Sequence, residues 1–323
     1  MPAVVAEDVI RSAAARWRRI DPLLPDPKPP ASEVCGAELT VPAASGRASA
    51  AGWCRHRKLR PGAADLAWGA AAQFWLTARV AGDPAEPGIG PALDELLTRW
   101  RGHLAAQPAT DGEDSQAAVR WPSRDSAGVL TLLRHGLQPL TVIAARPAGR
   151  ITTVPDTAHG GLRIRPASTG DVAAFTALTL EVIRFDQQFG SVLLRPDAER
   201  VERRAAERTL AEAEPWTWVA ERAGQAVGLL VAEPPGRAAW IAAVTSRRPV
   251  AYLGTLSVRP EERGSGVGTA LVAELHRQLD AAGVAVTLLH HGLLNPLSAP
   301  FWNRMGYRPL WTNWEIRPAS ALR

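Results

Sequence analysis

Apolar residues in the second half of the chain recur with two different periods, one typical of strands and one typical of helices. Leu162–Ala167, "LRIRPA", alternates at every second position, which predicts a half-buried strand. The segment "VAAFTALTLEVIRFDQQF" has helical periodicity, and we expect Asp171, which precedes it, to cap this helix. A charged segment from Pro196 to about Glu212 predicts a second helix.

The remainder of this half predicts further strands with helices between them. "WTWVAERAGQAVGLLVAE" indicates two strands joined by a turn at Ala223–Gln225, and "VAYLGTLSV" indicates a third. A helix to about Ala282, the strand "GVAVTLLH", the short helix "SAPFWNRM" ended by Gly306, and strands in "YRPLWTNWEIRP" complete the series. The order βααβββαβαβ predicts an α/β (α+β) fold in which helices flank a twisted mixed sheet.

A segment rich in Gly, Pro and Thr, Arg146–Pro166, separates this half from the first. Since 323 residues suit two domains of about 150 residues each, we expect one domain over residues 1–150 and another over residues 161–323.

The charge and cysteine content of the chain limit the kinds of ligand and partner that we expect it to bind. The formal charge is +5, but the basic residues are scattered among acidic ones and nearly all are arginine, with lysine only at Lys28 and Lys58. This pattern does not suit a nucleic-acid groove, although it favours an acidic ligand such as a phosphorylated cofactor. Cys35 and Cys54 lack metal-ligand spacing, and no signal-like or membrane-spanning apolar run is present. We therefore expect a cytoplasmic protein with no metal, membrane or nucleic-acid partner.

Three glycines follow the strand that ends at Val258, in Arg263–Gly268, "RGSGVG", and a helical pattern follows them. Glycine permits positive φ and a close backbone approach, and a helix N-terminus favours negative charge, so a pyrophosphate suits this loop. It is not a Walker A loop, because no lysine follows Gly268, and it is not a dinucleotide fingerprint, because Thr269 stands where that motif needs glycine.

Two motifs together carry a resemblance to a known family. The loop reads Arg263-x-x-Gly266-x-Gly268 after the strand "LGTLSVRP", and "NPLSAPFWNRMGY" follows at Asn295–Tyr307. These residues resemble the two acyl-CoA-binding motifs of the GNAT (GCN5-related N-acetyltransferase) superfamily, and the resemblance extends over Leu162–Pro318.

The resemblance implies acetyl-CoA as the cofactor and assigns roles to backbone groups. Those of Leu256 and Val258 would hold the pantetheine arm between two splayed strands, and the Val258 N–H would polarise the thioester carbonyl. The N–H groups from Arg263 to Gly268 would hold the pyrophosphate, and Asn295 and Ser298 would lie beside the thiol. The implied cofactor-binding residues are Leu256, Ser257, Val258, Arg263, Gly264, Ser265, Gly266, Val267, Gly268, Thr269, Asn295 and Ser298.

The residues expected to move protons depart from the family. Trp302 stands where many members have a tyrosine that protonates the leaving thiolate, and an indole N–H is too weak an acid for that role. His290 and His291 end the fifth strand of this half and are candidate bases, while Asp186 is a weaker one. The candidate catalytic residues are thus His290, His291 and Trp302; the alternatives are a structural histidine pair and a packed aromatic ring.

The first half contains a weaker copy of both motifs. Val80–Leu93, "VAGDPAEPGIGPAL", aligns with Val258–Leu271 at an offset of 178 residues, and Arg134–Leu140 aligns with Arg304–Leu310 at an offset of 170. In the copy, Ala85, Glu86 and Pro87 replace the loop residues Arg263, Gly264 and Ser265, and Leu132 lies opposite Trp302. We therefore predict two GNAT-like domains in tandem, of which the first is degenerate and non-catalytic and supports the second or shapes its substrate cleft.

Two functions remain open at this point. One is transfer of an acetyl group from acetyl-CoA to a primary amine of a small molecule or peptide. The other is a non-catalytic acyl-CoA-binding sensor or regulatory module, which the missing tyrosine favours. Trp302, Trp311 and Trp314 form an expected aromatic cluster that would either line an acceptor pocket or pack in the core.

Overall fold

The structure, a computed structural model, describes residues 2–29, 36–42, 48–82, 88–107, 112–149, 161–212, 214 and 216–323. Its strands are β1 Ala37–Pro42, β2 Ala48–Lys58, β3 Ala72–Val80, β4 Ser115–Pro122, β5 Gln138–Pro147, β6 Arg163–Pro166, β7 Thr217–Arg222, β8 Gln225–Glu233, β9 Val250–Val258, β10 Val286–Gly292 and β11 Arg308–Ile316. Its helices are α1 Pro2–Ile20, α2 Ile89–Ala105, α3 Val129–Arg134, α4 Val172–Asp186, α5 Ala198–Leu210, α6 Ala239–Ala242, α7 Val267–Ala281 and α8 Ser298–Arg304.

Eleven strands of the described chain form one continuous mixed sheet, in the order β1-β2-β3-β4-β11-β5-β10-β9-β8-β7-β6. Within it, β3 pairs with β4 in parallel and β10 pairs with β9 in parallel, while the other neighbours are antiparallel. The predicted fold class is confirmed, and so is the predicted order of elements in the second half, to which the structure adds the short helix α6.

The two halves of the sheet exchange their final strands. β5, from the first half of the sequence, pairs with β10 of the second half, and β11, from the second half, pairs with β4 of the first. The two exchanged strands also pair with each other at the centre of the sheet. Each half of the sheet is therefore completed by the other half of the chain.

The two halves repeat the same elements at the offsets of the sequence motifs. β9 has the bounds of β3 shifted by 178 residues, and α7 begins 178 residues after α2. Gly136 and Gly306, 170 residues apart, follow α3 and α8 with φ values of 82° and 86°. The replaced residues of the copied loop, Ala85, Glu86 and Pro87, lie outside the described residues.

Helices cover both faces of the second half of the sheet. Val267 and Leu271 of α7 pack against Ala220 and Leu230, whereas α4 and α5 pack against Val219 and Leu229. Because neighbouring strand residues point to opposite faces, α7 lies on one face and α4 and α5 lie on the other. α8 joins α7, since Trp302 belongs to the same cluster. No helix in the described parts of the chain has the length and apolarity needed to span a bilayer.

Asp171 occupies the N-cap position of α4, as expected, although its side chain makes no capping bond to α4. The Asp171 side chain instead closes a capping box in the short 3-10 turn that precedes α4, where Ser168 is the N-cap residue and its N–H donates to Asp171 at 2.8 Å. The expected aromatic cluster does not form, because Trp302, Trp311 and Trp314 lie in three separate clusters of the core. Trp311 and Trp314 are three residues apart on β11, so strand alternation turns their side chains to opposite faces of the sheet. Trp302 lies on α8 and packs with the cluster around α7.

Candidate active site

The parallel strands β9 and β10 separate from each other beside the residues predicted to bind acyl-CoA. They pair only over Val250–Leu253 and Val286–Leu289, so β9 from Gly254 to Val258 has no partner on that side. β8 continues to pair with β9 as far as Val258. The result is a wedge-shaped gap between two parallel strands that opens towards their carboxyl ends.

Two backbone groups of β9 point into this gap. The Arg259 N–H donates to the Val227 carbonyl at 3.0 Å, which fixes the alternation of the antiparallel pairing with β8. In such a pair every second residue turns its N–H and C=O away from the partner strand. Val258 and Leu256 are those residues, so their amides face the gap.

The glycine loop follows directly and ends at the N-terminus of α7. Gly264 and Gly266 have φ values of 81° and 89°, a region that disfavours other residues. The first bond of α7 runs from the Ala270 N–H to the Gly266 carbonyl at 3.0 Å, so the amides of residues 267–269 precede it and point out of the helix end.

Not all of the loop amides are available to a ligand. The Arg263 N–H donates to the Pro260 carbonyl at 3.2 Å, and the Ser265 N–H donates to the Glu262 carbonyl at 3.3 Å. The Arg263 guanidinium lies 4.7 Å from the ring centroid of Phe185 and donates from Nε to the Val258 carbonyl at 3.3 Å. The available anion-binding groups are therefore concentrated at the start of α7.

A cavity of about 460 Å³ joins the gap to the loop. Of the residues predicted from the sequence, the cavity is lined by Leu256, Ser257, Val258, Arg263, Gly264, Gly266, Val267, Gly268, Thr269, His290, His291, Asn295, Ser298 and Trp302. Ser265 does not line it, because its hydroxyl turns to the Glu262 carbonyl at 2.7 Å. Residues far apart in the sequence thus share one cavity.

Asn295 connects the two sides of the cavity. It is 5% exposed, its Nδ2 donates to Asp186 Oδ1 at 2.7 Å, and its Oδ1 accepts from the Leu297 N–H at 2.9 Å and from the Ser298 N–H at 3.3 Å. Burial raises the pKa of the Asp186 carboxyl, although the bond from Asn295 and the charge of Arg263 oppose that effect. Asn295 therefore fixes the turn that precedes α8 and holds a half-buried carboxyl group at the end of α4.

The two histidines of β10 differ in their surroundings. The Nδ1 atom of His290 is 3.0 Å from the Tyr252 hydroxyl, and burial lowers the pKa of His290 to about 3. The Nδ1 atom of His291 lies 3.1 Å from the Gly292 carbonyl, and burial lowers the pKa of His291 as well. Because a carbonyl only accepts, His291 carries its proton on Nδ1 and keeps a lone pair on Nε2.

Trp302 is a packed residue that also reaches the cavity. Its ring packs edge-to-face against the rings of Phe301 and Tyr307, with distances of 4.9 Å and 5.4 Å between ring centroids. The two tyrosines of the chain, Tyr252 and Tyr307, do not line the cavity, and the Tyr307 hydroxyl lies 3.3 Å from His276 Nε2. Neither tyrosine is therefore placed to substitute for the one that many GNAT members carry at the position of Trp302.

Sequence reasoning missed part of the lining. Val182 and Phe185 of α4 lie on the face opposite α7, with Leu297 at the mouth, and Trp68 reaches the cavity from the first half of the chain. The α4 residues follow from the helical pattern once the cavity is known. Nothing in the sequence connects Trp68 with a site nearly two hundred residues away.

The corresponding position in the first half is filled by charged side chains. Asp125 lies 170 residues before Asn295, and its Oδ2 is 3.2 Å from Nη2 of Arg16, with both side chains 1% exposed. The Arg16 guanidinium also lies 5.4 Å from the ring centroid of Trp121. Where the second half pairs an amide with a carboxyl group beside an open cavity, the first half has a buried ion pair.

Residues 184–307, which include the gap, the glycine loop and α8, match the family model described as the acetyltransferase (GNAT) family. The chain carries a GNAT domain. No curated protein matches the sequence.

Solved structures extend the likeness in fold to both halves of the chain. A GCN5-related N-acetyltransferase from Sphaerobacter thermophilus matches 99% of this chain and 94% of its own length, with a TM-score of 0.53 and 18% identity. The GCN5-related glucosamine N-acetyltransferase region of a fungal multi-domain GH3 beta-N-acetylglucosaminidase matches 96% of this chain and 37% of that chain, with a TM-score of 0.50 and 14% identity. At these identities the likeness concerns the fold.

Proposed function

We propose that this protein is an acetyl-CoA-dependent N-acetyltransferase that acts on a primary amine of a small molecule or peptide. The observation that carries the proposal is the continuity of the site. Free amides at the start of α7, two inward-facing amides on β9 and a buried polar end at Asn295 line one cavity, within the matched GNAT region.

The residues present suit an acyl-CoA at each end. The α7 amides from Val267 to Thr269 and the positive helix end suit the pyrophosphate. The inward-facing amides of Leu256 and Val258 suit the amide-bearing pantetheine arm and the thioester carbonyl. Acetyl-CoA supplies an activated acetyl group, and its arm would lie in the gap between β9 and β10, with Asn295 and Ser298 beside the thiol.

The groups available for proton transfer in this proposal are weak acids and bases, so the positioning of the amine against the thioester supplies most of the rate acceleration. His291 is the better base of the histidine pair, because its Nε2 keeps a lone pair, whereas His290 is engaged with Tyr252. Asp186 faces the same cavity and attracts a cationic amine. Trp302 has no acidic proton, and we assign it to the wall beside the thiol, with water protonating the thiolate.

In this proposal the first half, residues 1–150, is a degenerate and non-catalytic GNAT-like domain, while residues 161–323 carry the site. The Arg16–Asp125 pair supports this division, since it occupies the position where the second half keeps Asn295 beside a cavity. The exchanged strands support a scaffolding role, because β5 of the first half pairs with His290 and His291 along β10.

The alternative, an acyl-CoA-binding sensor, is supported by the absence of a tyrosine from the lining and by the low basicity of His290. Release of free thiol from acetyl-CoA separates the two functions. We expect amine-dependent thiol release with at least one member of a panel of primary amines, including glucosamine, and loss of that release in Gly268→Glu. Tight acetyl-CoA binding without thiol release from any amine would favour the sensor instead.

A further inference from the structure

A turn of the first half, Ala64–Trp68, carries Trp68 to the candidate active site. Trp68 is 46% exposed and Leu297 is 51% exposed, and both line the same cavity as Phe185. Large apolar side chains that stay exposed at the mouth of a cavity commonly mark contact with a ligand. The turn packs beside α4 and α5, on the face opposite α7.

This turn is held by an arginine of the loop between α4 and α5. Arg195 donates from Nε to the Leu66 carbonyl at 3.1 Å and from Nη2 to the Gly69 carbonyl at 3.0 Å. It also forms a two-pronged contact with Asp114, at 2.8 Å from Nη1 and 3.0 Å from Nη2. One side chain of the second half thus holds backbone carbonyls on both sides of Ala67–Trp68.

Apolar packing and a backbone bond add to this clamp. Ala67 belongs to a small buried cluster with Leu180 and Ile183 of α4, and its carbonyl accepts from the Leu193 N–H at 2.8 Å. The residue before Trp68 is therefore anchored, while the indole itself remains partly exposed in the cavity. Such an arrangement gives a rigid wall at little entropic cost on binding.

The chemistry of this side differs from that of the α7 side. Phosphate-binding amides lie at the start of α7, so a bound acyl-CoA occupies that face and the acceptor enters from the α4 face. There, apolar Trp68, Phe185 and Leu297 line the cavity together with a half-buried carboxyl group, that of Asp186. A carboxyl group attracts an ammonium group, and an apolar aromatic wall suits an apolar, planar substituent.

We infer that Trp68 of the first half is a specificity-determining residue of the acceptor site, and that the acceptor is a primary amine joined to an aromatic or similarly broad apolar group. This inference rests on the proposed function. It makes the first half part of the substrate-binding surface, with Arg195 as the positioning residue that holds Trp68 in place.

The test compares 2-phenylethylamine with ethanolamine as acceptors for thiol release from acetyl-CoA, and measures acetyl-CoA binding separately by calorimetry. We expect Trp68→Ala to raise the KM for 2-phenylethylamine about tenfold, the upper range for one aromatic contact, with little change for ethanolamine. Trp68→Phe should restore most of the preference. Arg195→Gln should lower the preference in the same way, and Leu130→Ala, an exposed apolar side chain of the first half outside the cavity, should not.

The outcomes are distinguishable. An unchanged ratio of kcat/KM for the two amines in Trp68→Ala overturns the inference while leaving the proposed activity intact. Weaker acetyl-CoA binding in Trp68→Ala, with acceptor KM unchanged, also overturns it, because Trp68 would then contact the donor. Absence of thiol release with every amine refutes the proposed activity and the acceptor assignment with it.

Discussion

Replacing Asn295 by Asp tests the buried contact between the two sides of the cavity. The substitution keeps the size of the side chain and the oxygen that accepts from the Leu297 and Ser298 amides. It replaces the Nδ2 donor, 2.7 Å from Asp186 Oδ1, by a second carboxylate oxygen. The structure therefore predicts a destabilising effect that comes almost entirely from one contact.

The size of the effect follows from the two states of the carboxyl pair. Losing a hydrogen bond to a charged group costs about 1.5–3 kcal/mol. Two carboxylates in contact do not both stay ionised, so the pair retains a proton and its apparent pKa rises, by roughly 2–3 units for such pairs. One pKa unit corresponds to about 1.4 kcal/mol, so we expect Asn295→Asp to lower the free energy of unfolding by about 3–4 kcal/mol at pH 8.

The sign of the pH dependence is fixed by that raised pKa. Because the folded pair holds a proton that the unfolded chain releases above about pH 4, the penalty grows as the pH rises from about 4 and levels off above the folded pKa. Near pH 4.5 the shared proton restores a hydrogen bond, and the penalty should fall to about 1 kcal/mol.

Urea unfolding of the wild type, Asn295→Asp and Asn295→Ala at pH 4.5, 6.5 and 8 measures this directly. Asn295→Ala, which loses both the Nδ2 donor and the oxygen that accepts from the Leu297 and Ser298 N–H groups, should cost about 2–4 kcal/mol with a weaker dependence on pH. A loss for Asn295→Asp that is below about 1 kcal/mol and equal at all three pH values would refute the contact between Asn295 and Asp186.

Three further predictions concern other buried groups. Arg16→Met should lower the free energy of unfolding by about 3–5 kcal/mol because Asp125 is left buried without its cation, and Arg16→Met with Asp125→Asn should recover most of the loss; equal urea midpoints for the single and double variants would contradict this pairing. The contact with Arg165 lowers the pKa of Asp171 to about 2. Above pH 4, Asp171 should therefore contribute at most about 2 kcal/mol to the free energy of unfolding, and this contribution is lost as the pH falls through 2. Acid-unfolding curves of Asp171→Asn should accordingly converge with those of the wild type near pH 2, and a constant gap would count against the bridge. Since the pKa of His290 is about 3, the pH profile of kcat/KM should contain no ionisation near 6.5 from this residue, and an inflection there that His290→Gln abolishes would show otherwise.

The local parts of the fold were accessible from the sequence because they depend on neighbouring residues. The turn at Ala223–Gln225, the strand Val250–Val258 and the helix ended by Gly306 follow from alternation, glycine and helical periodicity. The exchange of β5 and β11 between the two halves of the sheet could not be predicted from the sequence, because the apolar pattern of each strand would suit pairing with either half. Only the whole sheet decides which neighbour each strand has.

The candidate site divides in the same way. Gly266 and Asn295 belong to motifs with fixed spacing, so the sequence predicted a common ligand for them, and both line one cavity in the structure. Trp68 and Arg195 meet across the two halves of the chain, and no periodicity or spacing records that contact. The loss of basicity at His290 also needed the structure, since it arises from burial next to Tyr252.

Acetyl-CoA titration calorimetry on Gly268→Glu and Gly90→Glu tests the central claim, that the start of α7 holds the phosphates of an acyl-CoA. The two glycines occupy equivalent positions in α7 and α2, 178 residues apart, and a Cβ at either would meet its nearest neighbour at 3.6 Å or 3.5 Å, an ordinary contact. A carboxylate in the first turn of a helix is tolerated or stabilising, so both variants should fold. We predict that Gly268→Glu loses measurable binding while Gly90→Glu binds acetyl-CoA as the wild type does. Equal binding by wild type and Gly268→Glu would contradict the account.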